Sequence, residues 1–182
     1  MSTRHFMRAL VLASCSVFGT AAHAGGIPYG QRFAWDPCFE QVGAYYKISP
    51  LLLRAIAWQE SSMRPAAIGK NPNPSMASEY GIGLMQISNW HLPRLRAMGV
   101  TEEMLLSNTC LNITVGASIL ADNISRHGLT WEAVGRYNAK TDWKKRAYAA
   151  KIQRHLVGEL QAAARVGSVP GPPAGRRVAG AQ

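Results

Sequence analysis

Carboxylates are scarce in this sequence: ten Asp and Glu among 182 residues, against 20 Lys and Arg, for a formal charge of +10. So few acids can be accounted for one by one. Other chemistries lack their signatures altogether. There is no G-x-S-x-G elbow, no H-E-x-x-H and no C-x-x-C, which removes the usual serine-hydrolase, zincin and dithiol patterns. His91, His127 and His155 stand 36 and 28 residues apart, without ligand-like spacing, so no metal site is expected. No P-loop or G-x-G-x-x-G occurs, and no cofactor is expected. No apolar run reaches the roughly 20 residues of a membrane span. No repeat of about 20 to 50 residues is present, and no segment alternates cleanly enough to demand a strand. What remains is 47% hydrophobic and 16% charged, the composition of one globular domain.

The first 24 residues read as a leader outside that domain. Arg4 and Arg8 give a positive start, residues 9–18 a short apolar run, and Ala22-His23-Ala24 before Gly25 a small-residue cleavage site. The expectation is export to the periplasm with a mature chain from Gly25. A membrane anchor would need a longer apolar stretch. A second reading takes Leu12-Ala13-Ser14-Cys15 as a lipoprotein box with lipid on Cys15.

Cleavage after Ala24 leaves two cysteines, Cys38 and Cys110. In an oxidising compartment an even pair is most simply a disulfide, the competing reading being two buried thiols. Removal of Arg4 and Arg8 leaves 18 basic against 10 acidic residues, a charge of +8. An anionic partner is expected, whether wall polymer or membrane surface. Export makes nucleic acid the weakest candidate, and none is expected.

Helical signals fill residues 36–160. Asp36-Pro37 and Ser49-Pro50 each read as a cap followed by proline in the first turn. Asn108 or Thr109, Thr130 and Asp142 open later helices, and Gly128 closes one. Residues 69–83, with Asn71-Pro72-Asn73-Pro74-Ser75, read as an irregular loop or a minimal β element. Residues 166–182 have little to bury and read as a Pro/Gly-rich flexible tail. The expected fold is all-α, with six or so helices in a domain over 25–165.

Among the acids, Asp36, Glu102, Glu103, Glu132 and Asp142 all sit at helix starts, where the macrodipole favours them. Glu60 does not. It ends the uncharged run Ala55-Ile56-Ala57-Trp58-Gln59, shortly before Pro65. A helix C-terminus is partially negative, and neighbours such as Ile56 and Trp58 exclude water, so both effects favour the protonated acid. A carboxyl neutral near pH 7 can protonate a leaving oxygen. The plain alternative is an exposed glutamate at a frayed helix end.

Two further clusters accompany it. Tyr80-Gly81-Ile82-Gly83-Leu84-Met85-Gln86-Ile87 sets two glycines beside an amide, suiting a backbone that approaches a ligand, or equally a turn that packs into the core. Ala133-Val134-Gly135-Arg136-Tyr137-Asn138 puts Tyr137 on the helical face of Ala133, with Asn138 at the exit.

Glu60-Ser61, then Gly83-Leu84-Met85-Gln86, then Ala133 with Tyr137-Asn138, in that order, resemble the catalytic domain of soluble lytic transglycosylases over about residues 36–155. The chain is most similar to the small members that accompany secretion, pilus or conjugation machines, whose cysteine pair Cys38 and Cys110 resemble. The resemblance implies a lysozyme-like fold and a peptidoglycan groove. It implies cleavage of the β-1,4 bond between N-acetylmuramic acid and N-acetylglucosamine without water, leaving a 1,6-anhydro sugar. Glu60 would be the single acid and base. Ser61 would orient it or the substrate, Gly83, Leu84, Met85 and Gln86 would line the groove, and Tyr137 and Asn138 would face the acid.

Glu79 stands just before Tyr80 and is a candidate second carboxylate, which would turn the reaction into goose-type lysozyme hydrolysis; its other reading is an exposed loop charge. Lys144, Lys145, Arg146, Lys151 and Arg154 form a basic segment, either a solvated face or a contact for anionic wall polymer. A non-catalytic wall-binding protein is the alternative outside enzymes, and a buried acid argues against it.

Overall fold

The computed structural model describes residues 29–70 and 78–167 of the chain. The expected leader with Cys15, the Asn71 to Ser75 loop and residues 168–182 of the expected tail lie outside the described residues.

Seven α-helices and one small sheet make up the described fold, which is mostly α as expected. They run α1 (Asp36–Tyr46), α2 (Pro50–Ser61), β1 (Ile68–Lys70), β2 (Tyr80–Ile82), β3 (Ile87–Ser88), a 3-10 turn (Asn89–His91), α3 (Leu92–Ala97), α4 (Glu102–Ser107), α5 (Thr109–His127), α6 (Trp131–Gly135) and α7 (Asp142–Gly167). The sheet is antiparallel in the order β1-β2-β3, pairing Gly69 with Gly81 and Gly81 with Ser88. Strands of two and three residues are too short to show alternation, which is why the sequence did not demand them.

Side-chain capping sets three of the seven helix starts; Ser49, expected to cap α2, makes no side-chain cap bond, and Pro50 in the first turn marks that start instead. Thr101, Asn108 and Thr130 accept hydrogen bonds from the backbone N–H of Met104, Leu111 and Ala133, satisfying donors that a first turn leaves unpaired. Asp36 departs from this pattern. It is the first residue of α1, after Trp35, and its carboxylate accepts from the Phe33 N–H and from Arg54. At the other end of the chain, α7 runs past residue 160 and takes in 166 and 167, expected in the tail. Gln161, Ala162, Ala163, Ala164 and Arg165 are strong helix formers, so the helix continues.

Helix α2 is the axis of the domain. Leu53, Ala55, Ile56 and Ala57 are fully buried, and Leu52, Arg54 and Trp58 nearly so. A helix buried on nearly all sides leaves its one internal charge needing partners. Arg54 has three: Asp36, the Gln31 carbonyl at 3.0 Å, and Glu159 of α7 at 2.9 Å. Trp58 Nε1 donates to the other oxygen of Glu159. This network fixes α2 against α7, the pair on which the site is built. Cys38 and Cys110 are joined, with Cα atoms 5.4 Å apart, tying α1 to the first turn of α5. No helix among the described residues is long and apolar enough to cross a membrane.

Candidate active site

Glu60 is the penultimate residue of α2. The helix stops there because Ser62 takes a left-handed conformation, φ 51°, and its N–H returns to the carbonyls of Ala57 and Trp58. Ser61 reinforces the stop: its hydroxyl donates to Ala57 O and accepts from Arg64 N. Both contacts are to backbone, so Ser61 acts on Glu60 through the end of the helix. Trp58 lies about 200° around the helix from Glu60 and is committed to Glu159 and to an edge-on ring contact with Tyr29. The expected desolvation of Glu60 by Trp58 therefore gives way to other neighbours.

Those neighbours come from α7 and from the turn before it. Tyr148 OH donates to Glu60 Oε1. The Tyr137 ring lies nearly parallel to that of Tyr148, 14° apart in plane with centroids at 6.5 Å, and its hydroxyl donates to Met85 O at 3.0 Å. Burial raises the Glu60 carboxyl from 4.5 to about 7, opposed by the Tyr148 hydrogen bond and the Lys151 charge. The same burial, with the adjacent Glu60 charge, pushes both phenols well above their ordinary range, so they act only as neutral donors. Glu60 is thus a part-buried acid poised near neutrality and held by one phenol.

The Gly83 to Gln86 segment meets this group through backbone. Gln86 N–H closes a turn onto Gly83 O at 3.1 Å, and Gln86 is left-handed at φ 48°. Its side-chain Nε2 donates to Ala67 O and Gly83 O. A Cβ on Gly81 would strike the Gln86 side chain, and one on Gly83, at φ +74°, would strike Asn112. Both glycines thus make room for protein side chains. Leu84 and Met85 are fully buried, so their side chains face the core and the Tyr137 hydroxyl is reached only by the segment's backbone. The fixed point beneath it is Asn112 of α5, completely buried, which accepts from Met85 N and donates to Ile82 O and Leu105 O.

Residues 37–156 match the family described as Transglycosylase SLT domain. The chain belongs to this family. The transglycosylase is 46% identical over 123 residues to "Invasion protein IagB" of Salmonella typhi, covering 65% of this chain and 74% of that protein. It is 43% identical to "Protein IpgF" of Shigella flexneri, over 66% of this chain and 79% of the relative. A "Peptidoglycan-binding-like protein" of Escherichia coli O157:H7 is 42% identical over 66% and 76%. Membership makes the chain a peptidoglycan lytic transglycosylase acting outside the cytoplasm, and the matched span is within one residue of the expected one at each end.

Of the residues expected at its site, the structure brings Glu60, Tyr137 and the Met85 backbone together. Asn138 is exposed beside them. Glu79 is exposed just before β2, without a hydrogen-bond or ion-pair partner among the described residues. The basic segment divides. Lys145 is 5% exposed and bridges Glu132 at 3.0 Å and Asp142 at 2.8 Å, so it is neither solvated nor free for wall polymer. It clamps α6 to α7 at the base of the turn that carries Tyr137 and Asn138. Lys144, Arg146, Lys151 and Arg154 remain exposed.

Tyr148 is the site residue that sequence reasoning missed. Its signal was present: Tyr148, Ile152, Leu156 and Glu159 share one face of α7, and a buried tyrosine requires a partner for its hydroxyl. Glu60 was an acid still lacking one.

Proposed function

We propose that Glu60 performs both proton transfers of the transglycosylase reaction. Protonated Glu60 gives its proton to the glycosidic oxygen as the C1–O bond breaks, and the substrate's own N-acetyl carbonyl stabilises the cation left at C1. Glu60, now ionised, takes the proton from the C6 hydroxyl as that oxygen closes on C1, which restores the acid and forms the 1,6-anhydro ring. The observation that carries this reading is the balance at Glu60: burial favours the neutral form while Tyr148 and Lys151 favour the ionised one. A carboxyl near 7 serves as acid and then as base with little cost either way.

The exposure of Glu79 supports a single-carboxylate reaction, because an acid at the surface before β2 lacks the burial that tunes Glu60. In this reading Tyr148 and Tyr137 position the acid and the turn opposite it, and Asn138 with the backbone of Gly83, Leu84, Met85 and Gln86 contacts the glycan. Ser61 fixes the helix end. Export through residues 1–24 places the enzyme in the periplasm, and the cut serves a trans-envelope secretion or conjugation apparatus. That a relative bears the name invasion protein supports the last point. Mass spectrometry of digested peptidoglycan tests the chemistry: anhydro-muramic ends are expected, and reducing muramic ends would overturn it. Glu60→Gln is expected to abolish both kinds of end.

A further inference from the structure

Lys151 lies one helical turn beyond Tyr148 on α7, exposed, and its positive charge reaches Glu60. The buried residue Ile152 follows it, so Lys151 stands at the edge of the α7 face that covers α2, where that face opens to solvent. No carboxylate among the described residues pairs with it. This contrasts with Lys145, held by Glu132 and Asp142, and with Arg136, held by Glu132. The groups facing Glu60 are Tyr148 and Lys151 from α7 and Tyr137 from the preceding turn. Of these, only Lys151 carries a charge.

An unpaired cation whose field reaches a proton donor works against donation, because it favours the ionised acid. That opposition disappears if the substrate neutralises the cation on binding. The glycan backbone itself is uncharged, whereas the peptide stem on each N-acetylmuramic acid carries free carboxylates. Resting on the reaction proposed above, we propose that Lys151 pairs with a stem-peptide carboxylate beside the scissile bond, making the enzyme selective for strands with anionic stems. Substrate then brings its own counter-charge to the site. An engaged strand leaves Glu60 more firmly protonated than the free enzyme does, and a strand without stem carboxylates gains no such help.

The experiment compares isolated peptidoglycan, stripped of other anionic polymers, with the same material after its stem carboxylates are converted to neutral methylamides. Initial rates of anhydro-end release are measured for the native enzyme, for Lys151→Gln and for Arg154→Gln. Arg154 is an exposed cation on the same helix whose charge acts on Tyr29 and His155, so it controls for general attraction to a negative polymer. Neutralising the stems is expected to slow the native enzyme and Arg154→Gln by about two- to fivefold, the range of an exposed ion pair. Lys151→Gln is expected to cleave both substrates at nearly equal rates. A native enzyme indifferent to neutralisation, or a Lys151→Gln variant that loses as much as the native enzyme, would overturn the inference. In either case anhydro ends from untreated strands leave the reaction itself standing. Their absence would remove the reaction and this inference together.

Discussion

Replacing Glu60 with Gln should stabilise the protein while it destroys activity, and the gain should grow with pH. Burial raises the folded-state carboxyl from 4.5 to about 7. The unfolded chain therefore releases this proton more readily than the folded one, and stability falls as pH rises between the two values. Below 4.5 the group is neutral in both states and has no effect. Above 7 it is ionised in both, and the buried charge costs about 3 kcal/mol. Linkage over this range gives a loss of about 1 kcal/mol at pH 5 and about 3 at pH 8. Glutamine has the same shape, keeps an oxygen to accept from Tyr148 OH, and does not titrate.

The assay is thermal unfolding of the native enzyme and Glu60→Gln at pH 5 and pH 8. Titration of His91 or His155 enters both proteins alike, so the difference between variant and native isolates the one carboxyl. At about 4 °C per kcal/mol for a domain of this size, the stabilisation by glutamine should be roughly 8–10 °C larger at pH 8 than at pH 5. A difference that stays flat with pH would refute the buried-acid reasoning, as would full turnover in the variant. In the proposed reaction the same carboxyl sets the rate. Above pH 7, kcat/KM should fall about tenfold per pH unit as the neutral acid is depleted.

Tyr148→Phe removes the hydrogen bond that favours ionised Glu60, so the alkaline limb of the kcat/KM profile should move up by about one pH unit while the maximal rate falls. Asn112→Ala strips partners from Met85 N, Ile82 O and Leu105 O in a site with no water access; a loss of about 2–4 kcal/mol is expected in denaturant unfolding. Reduction of the Cys38–Cys110 bond, which closes 72 residues of sequence separation, should cost about 4 kcal/mol in the chain-entropy model, read as a lower melting temperature in dithiothreitol. Gly83→Ala, which needs both a positive φ and space occupied by Asn112, should melt below the native enzyme, whereas Gly99→Ala, with nothing within 4 Å, should lose only the cost of its positive φ.

Local chemistry was legible in this sequence and long-range partnership was not. Asn108 and Thr130 announce their helix starts because capping acts within four residues, while Pro50 marks a start and Gly128 an end through the backbone angles they favour. Glu60 stood out by the same local logic, since a helix C-terminus is a poor place for an acid. Arg54, by contrast, sits in the same helix and needs Asp36 and Glu159, 18 and 105 positions away. No spacing rule connects them. Tyr148 and Glu60 are 88 residues apart, and Asn112 reaches back 27 residues to Met85. The Gly83 to Gln86 segment was visible as a pattern, but whether its glycines admit a ligand or a side chain depends on Asn112 and Gln86, whose positions the fold decides.

The ten carboxylates show why one site can be singled out in a chain so rich in cations. Asp36 and Glu159 answer Arg54; Glu132 and Asp142 answer Lys145; Asp122 pairs with Arg126 on the surface; and Glu102 accepts from Tyr80 OH at 2.9 Å. Glu40, Glu79 and Glu103 are exposed, where water solvates them. A buried carboxylate ordinarily has a cation in contact, and Glu159, 2% exposed, obeys that rule through Arg54. Glu60 breaks it, being largely withdrawn from water yet given a phenol in contact and a lysine only at a distance. A contacting cation would hold Glu60 ionised and so abolish its capacity to give a proton. Complete isolation would hold it neutral and abolish its capacity to take one back. The intermediate arrangement suits a reaction that needs both steps from one residue, which is what a transglycosylase whose other buried acid, Glu159, is committed to Arg54 and Trp58 requires.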